Sequence, residues 1–202
     1  MGAILRLVLA SQSPRRADVL RQLGLDPVVL PADVDEALWE GESAEAYVER
    51  LARKKAMAIA ATETDALVVG GDTVVVDDGE ILSKPDGAEG AVSMLMQLSG
   101  SDHEVLSGIA LASPRGVVST VARTTVRMRH YDEAMVRAYV ATGEPLDKAG
   151  AYGIQGQGAA LVASIGGDYY AVVGFPVGAF LDLLVRGGWR FGFDGVKAAD
   201  NA

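Results

Sequence analysis

Two adjacent arginines follow a Ser-Pro pair in the stretch LASQSPRRADVLRQLGL (Leu9–Leu25), where an apolar run gives way to helical spacing. The first turn of a helix presents free N–H groups and a positive dipole end, so anions bind there readily. Cations oppose that dipole. A phosphate or carboxylate ligand would relieve the conflict at Arg15 and Arg16, because guanidinium forks grip such groups bidentately. The alternative is that both side chains simply point into water. A second candidate is Asp72 in VVGGDTVVV, a carboxylate behind an apolar strand and two glycines. It suits a general base or a ligand for a hard metal, or it is an ordinary turn aspartate. Lys55 interrupts the apolar stripe of a helix, where it either snorkels to the edge or faces a site. Lys84 precedes Pro85, whose ring favours an extended Lys84 and so a fixed ammonium; solvent is the other place for it. Gln155, between Gly153 and Gly156, could read an uncharged edge with its amide or sit in water. Cations for phosphates, carboxylates for a metal and one amide form a set, whereas no serine–histidine–acid arrangement is present.

The elements that must hold these residues follow from pattern. Leu5–Ala10 reads as a strand covered on both faces. Ser13 suits an N-cap with Pro14 at the first helical position, and Gly24 closes that helix. Val28–Leu30 suits a second strand, and PADVDEALWEGES an acidic loop containing Glu36. A long helix is expected from Ala44 to about Ala61, its inner stripe running through Tyr47, Val48, Leu51, Ala52, Lys55, Ala58 and Ile59. Ala66–Gly71 is a buried strand, and TVVVDDGEILS a hairpin turning at Asp78-Gly79. Ala88–Leu98 suits a helix; 103–112 and 117–129 suit two strands. Asp132 suits the cap of another helix, DKAGAYGIQGQGA a glycine-rich loop, Ala160–Ile165 with Tyr169–Val173 a hairpin, and Pro176–Arg186 a final helix. Strands alternating with helices, with hairpins intruding, predict an α/β fold with a mixed sheet. The residues after Arg186 carry little pattern and are expected to form a poorly ordered tail over 187–202.

The 202 residues suit one domain, either undivided or of two lobes around a cleft, and 50% hydrophobic against 22% charged residues is a globular balance. With no cysteine and two histidines, thiolate chemistry is excluded and a His-rich zinc site disfavoured. A net charge of −9 argues against a nucleic-acid partner. No apolar run approaches the about 18 residues needed to span a membrane, and MGAILRLVLA lacks the basic start of a signal peptide; the expectation is a cytoplasmic protein. Gly156 and Gly158 are followed by Leu161 where a dinucleotide fingerprint needs its third glycine, so a Rossmann reading fails.

Taken in order, LASQSPRR, the Asp35-Glu36 pair, RLARKKA, GGDTVVV, SKP, LSGSDHEV and DKAGAYGIQGQGA resemble the successive motifs of the Maf family of nucleoside triphosphate pyrophosphatases, from about Leu5 to Arg186. The resemblance implies an α/β domain over 1–186: a mixed, elongated sheet flanked by helices, with two lobes around a deep cleft, related to the inosine triphosphate pyrophosphatases. It implies hydrolysis of a nucleoside triphosphate to the monophosphate and pyrophosphate with a divalent metal, Mg²⁺ or Mn²⁺, and a homodimer. The family's catalytic carboxylate maps onto Asp72, its loop acid onto Glu36, and both onto metal ligation. Its phosphate-contacting groups map onto Arg15, Arg16, Lys55 and Lys84, and the small polar residues of its first loop onto Ser11 and Ser13. Arg15, Thr73 and Gln155 match the three positions associated with dTTP/UTP specificity. The rival expectations are the 7-methyl-GTP subgroup and a regulator of cell division acting through protein binding. Ser83, Ser107 and Ala171 depart from the family's more frequent glycine, threonine and asparagine.

Overall fold

The computed structural model describes residues 4–199, which form nine strands and six α-helices. In chain order they are β1 (Arg6–Leu9), α1 (Pro14–Gln22), β2 (Val28–Val29), α2 (Ala44–Ala60), β3 (Ala66–Asp77), β4 (Glu80–Leu82), α3 (Gly87–Leu98), β5 (Asp102–Ser113), β6 (Gly116–Met128), α4 (Glu133–Val140), β7 (Val162–Gly166), α5 (Tyr169–Val173), α6 (Val177–Arg186), β8 (Trp189–Gly192) and β9 (Gly195–Ala198). Three 3₁₀ turns fill the glycine-rich segment between α4 and β7. Seven strands make one sheet in the order β2-β1-β3-β5-β6-β7, with β4 paired to β3. It is mixed: β1 runs parallel to β2 and β3, whereas β3/β4 and β6/β7 are antiparallel. The α/β architecture expected from the alternation of patterns is the one observed. Among the described residues no helix is long and apolar enough to cross a membrane.

The chain divides into two compact units. Unit 1 takes the residues up to Asp72, Ser107–Ala122 and those from Gly174; unit 2 takes Thr73–Leu106 and Arg123–Val173. Within unit 1, Leu7–Leu9 of β1 are buried on both faces, as a near-continuous apolar run requires. Ser43 caps α2, its hydroxyl accepting from the Ala46 N–H at 3.2 Å. One core cluster is built from small residues, Val8, Ala10, Ala52, Ala56, Ala66, Val68, Ala110 and Ala112, which bring α2 close to the strands. Two glycines complete that approach. A Cβ on Gly70 of β3 would lie 2.2 Å from the Ala52 carbonyl oxygen, and one on Gly108 of β5 would lie 2.3 Å from that of Val48. The first glycine of VVGGD therefore admits the backbone of a helix, a use of glycine in strands that the sequence left unassigned.

Where the pattern fades after Arg186, the structure has the β8–β9 hairpin, with Trp189 paired to Ala198 and Gly192 to Gly195. Trp189 and Val196 are its buried apolar anchors. The Leu5 N–H donates to the Val196 carbonyl at 2.8 Å, and Lys197 pairs with Asp194. Four-residue strands are too short to announce themselves by alternation; the remainder of the expected tail, 200–202, lies outside the described residues.

Unit 2 packs α3 and α4 around Val75, Leu95, Leu98, Val105, Val126, Met128, Val136 and Leu161. The β3–β4 turn has both central residues, Asp78 and Gly79, at positive φ, the geometry that matches hairpin twist. The expected hairpin of Ala160–Ile165 with Tyr169–Val173 is corrected: β7 pairs with β6, and 169–173 is helical. Asp168 decides this. Its carboxylate accepts from the Tyr170 N–H at 2.8 Å, and its backbone is clamped by Thr124, whose hydroxyl accepts from the Asp168 N–H at 3.1 Å and donates to its carbonyl at 3.2 Å. A capped start overrides the strand preference of YYAVV.

Candidate active site

Unit 1 holds seven of the residues singled out from the sequence: Ser11, Ser13, Arg15, Arg16, Glu36, Lys55 and Asp72. The loop after β1 carries Ser11, whose hydroxyl accepts from the Ser13 N–H at 3.2 Å and from Arg16 Nη1 at 2.9 Å. Ser13 occupies the N-cap position of α1 and Pro14 the first turn, but the Ser13 hydroxyl makes no cap bond and no acidic residue lies in that turn. The terminal N–H groups thus keep their capacity for an anion. Arg16 Nε donates to the Gly174 carbonyl at 2.8 Å. Its guanidinium lies against β3: a Cβ on Gly71 would stand 3.2 Å from Nε. Burial pushes the Arg16 guanidinium below its usual value, Arg15 adds to this, and Asp72 and Glu36 oppose it.

Lys55 does not snorkel. It is 9% exposed on α2, and its ammonium stands 2.7 Å from Asp72 Oδ1 and 2.7 Å from Glu36 Oε1. One cation therefore bridges two carboxylates delivered by a strand and a loop. The close approach of α2 at Gly70 is what brings Lys55 to Asp72, two residues further along β3.

The loop carrying Glu36 is pinned by residues that sequence reasoning did not assign to the site. Tyr47 donates its hydroxyl to the Glu36 carbonyl at 2.9 Å, and Lys54 its ammonium to the Asp35 carbonyl at 2.8 Å. Arg50 donates to the Ala37 carbonyl at 3.0 Å, to both Glu42 oxygens at 2.6 Å, and lies 4.0 Å over the Trp39 ring. Tyr47, Arg50 and Lys54 follow at intervals of three and four, one helical face, and that spacing was the available signal. Burial raises the Tyr47 phenol, with Asp72 and Glu36 adding to it and Arg50 opposing.

Asp72 and Glu36 offer oxygen donors only. Among the described residues no group of three or more histidine, cysteine or acidic side chains could enclose a metal. The donor set fits a hard cation of the Mg²⁺ or Mn²⁺ kind, which keeps waters and takes substrate phosphate oxygens beside one or two carboxylates. With three cations (Arg15, Arg16, Lys55) against two carboxylates, the cluster carries little net charge, so a bound polyphosphate would need such a counter-ion near Asp72 and Glu36.

Thr73, Lys84 and Gln155 lie in unit 2. Lys84 is exposed, on a loop where the Gly150 N–H donates to the Ser83 carbonyl at 3.3 Å. Gln155 is exposed, with extended backbone angles (φ −96°, ψ 166°) just before the last 3₁₀ turn.

Residues 6–186 match the family model described as Maf-like protein. The chain belongs to the Maf family. The matched span runs from β1 to the end of α6, leaving the β8–β9 hairpin outside it. Among similar Maf proteins, the dTTP/UTP pyrophosphatase of Moorella thermoacetica is 52% identical over 89% of this chain and 93% of its own length. Those of Symbiobacterium thermophilum and Escherichia coli O157:H7 are 48% and 47% identical, covering 91% and 88% of this chain and 95% and 91% of theirs.

Proposed function

We propose that this Maf chain is a nucleoside triphosphate pyrophosphatase that hydrolyses dTTP and UTP to the monophosphate and pyrophosphate. The observation that carries the reading is the Lys55 bridge to Asp72 and Glu36, set beside the Arg16–Ser11 turn at an uncapped helix start. In this reading Arg15, Arg16, Lys55 and the α1 N–H groups, with Ser11 and Ser13 shaping their loop, hold phosphate oxygens; Lys84 adds an ammonium. Asp72 accepts a proton from the water whose oxygen bonds to the α-phosphorus, while the α–β phosphoanhydride bond breaks and pyrophosphate leaves. Lys55 fixes Oδ1 of Asp72, which leaves Oδ2 for that water. Asp72 and Glu36 are the residues that would hold Mg²⁺ or Mn²⁺, which when bound would supply charge neutralisation for the leaving group. Arg15, Thr73 and Gln155 set the preference for the base and sugar.

Incubating the full chain with dTTP, UTP, CTP, GTP and 7-methyl-GTP, with Mg²⁺ or Mn²⁺ and with EDTA, and assaying pyrophosphate, tests the reading. Release from dTTP and UTP that EDTA abolishes is expected. No release from any nucleotide, or preference for 7-methyl-GTP, overturns it.

A further inference from the structure

We propose that Glu144 is a positioning residue for base selectivity: through Tyr139 it clamps both ends of the glycine loop that presents Gln155. The inference rests on the function proposed above. Glu144 opens the first 3₁₀ turn after α4. Its Oε1 accepts from the Tyr139 hydroxyl at 2.9 Å and from the Gly158 N–H at 3.0 Å, and its Oε2 accepts from the Gln157 N–H at 3.0 Å. The Gly153 N–H donates to the Tyr139 oxygen at 3.3 Å. One carboxylate–phenol pair therefore ties residue 153 on one side of Gln155 to residues 157 and 158 on the other.

The loop closes tightly on this pair. A Cβ on Gly156 would lie 2.8 Å from Glu144 Oε2, and one on Gly158 would lie 2.4 Å from the Gly153 carbonyl oxygen and 2.5 Å from the Tyr139 oxygen. Gln155 is the exposed residue at the bend, and its side-chain amide makes no hydrogen bond among the described residues. A free amide discriminates between bases only if its backbone is fixed, because a mobile one re-pairs with whatever edge is offered. Burial opposes ionisation of Glu144, but the Gly158 and Gln157 amides, Tyr139 and Lys148 outweigh it and hold the carboxyl below its usual value. An amide in its place could not accept from all three donors, since its NH₂ would face an N–H or an O–H.

Wild type is assayed first with dTTP, so that failure of the functional reading shows there and nowhere else. Glu144→Gln is expected to raise KM for dTTP about tenfold and to cut the ratio of kcat/KM between dTTP and CTP or GTP by about tenfold, with kcat reduced less than about threefold. In a Gln155→Ala background the same substitution should cost no further selectivity, a non-additivity that a merely structural role would not produce. Tyr139→Phe, which removes a single hydroxyl, is expected to act the same way by about threefold and carries the test if Glu144→Gln fails to fold. An unchanged selectivity ratio, or losses that add to those of Gln155→Ala, overturns the proposal.

Discussion

In unit 1, Asp72 and Glu36 turn oxygens toward one ammonium; in unit 2, Glu144 turns both of its oxygens toward two backbone amides and a phenol. The first arrangement is a set of charges that an incoming anion and its counter-ion can re-partner. The second uses neutral donors that belong to the fold and cannot leave. A carboxylate of the first kind is suited to chemistry and one of the second kind to holding a shape. The two regions therefore predict different consequences for substitutions that are chemically alike.

The largest effect is expected at Asp72. Asp72→Asn removes the proposed base while Lys55 keeps Glu36 at 2.7 Å, so no buried cation is left alone. Turnover of dTTP should fall about 10²–10⁴-fold, the usual range for a general base, with the circular dichroism spectrum retained. Turnover at the wild-type rate would show that the charged cluster binds but does not catalyse, and would collapse the distinction between the two regions.

Unit 2 also contains a histidine that sharpens the contrast. His103 on β5 is 3% exposed, with Nε2 2.7 Å from the Tyr152 oxygen. Burial pushes its pKa down to about 4 from 6.5, against the opposing pull of Asp77 and Asp102. The native state therefore holds a neutral ring where the unfolded chain would take up a proton. Stability from this group is complete above pH 6.5 and is lost as pH falls from 6.5 toward 4, by about 3 kcal/mol in all. Urea unfolding across that window should show the loss in wild type and a flatter profile in His103→Gln. Equal slopes would mean that the interior of unit 2 tolerates charge as unit 1 does.

The legibility of these regions in the sequence followed the same division. Arg16, Lys55 and Asp72 sit on a helix or strand, and each broke a pattern: cations at a helix start, a lysine on an apolar stripe, a carboxylate behind glycines. A residue that contradicts its surroundings can be found from sequence alone. Glu144 contradicts nothing; it is one acid in a polar segment, and its partners are backbone amides that every sequence possesses. Gly70 stood out, but its partner, the Ala52 carbonyl, is a packing contact between elements that spacing does not reveal. Tyr169–Val173 has strand composition and a helical fate, because the capping by Asp168 and Thr124 depends on a residue 44 positions earlier. Elements declare themselves locally, whereas clamps and caps made across the chain do not.

The smallest of these effects separates two roles within the charged region. Arg16 is both a candidate phosphate ligand and a strut, since its Nε holds the Gly174 carbonyl at 2.8 Å and its Nη1 holds the Ser11 hydroxyl at 2.9 Å. A lysine keeps the charge but has a single nitrogen on a flexible stem and cannot reproduce the planar fork. If the strut matters, Arg16→Lys should lower stability by about 2 kcal/mol, a fall in Tm of about 4–8 °C for a chain of this size. KM for dTTP should rise in the same variant, because Ser11 and the start of α1 lose their common anchor. A variant of Arg16 that binds poorly at undiminished Tm would return Arg16 to the purely exchangeable charges. A matched fall in both would show that even in unit 1 a cation serves the fold as Glu144 does in unit 2.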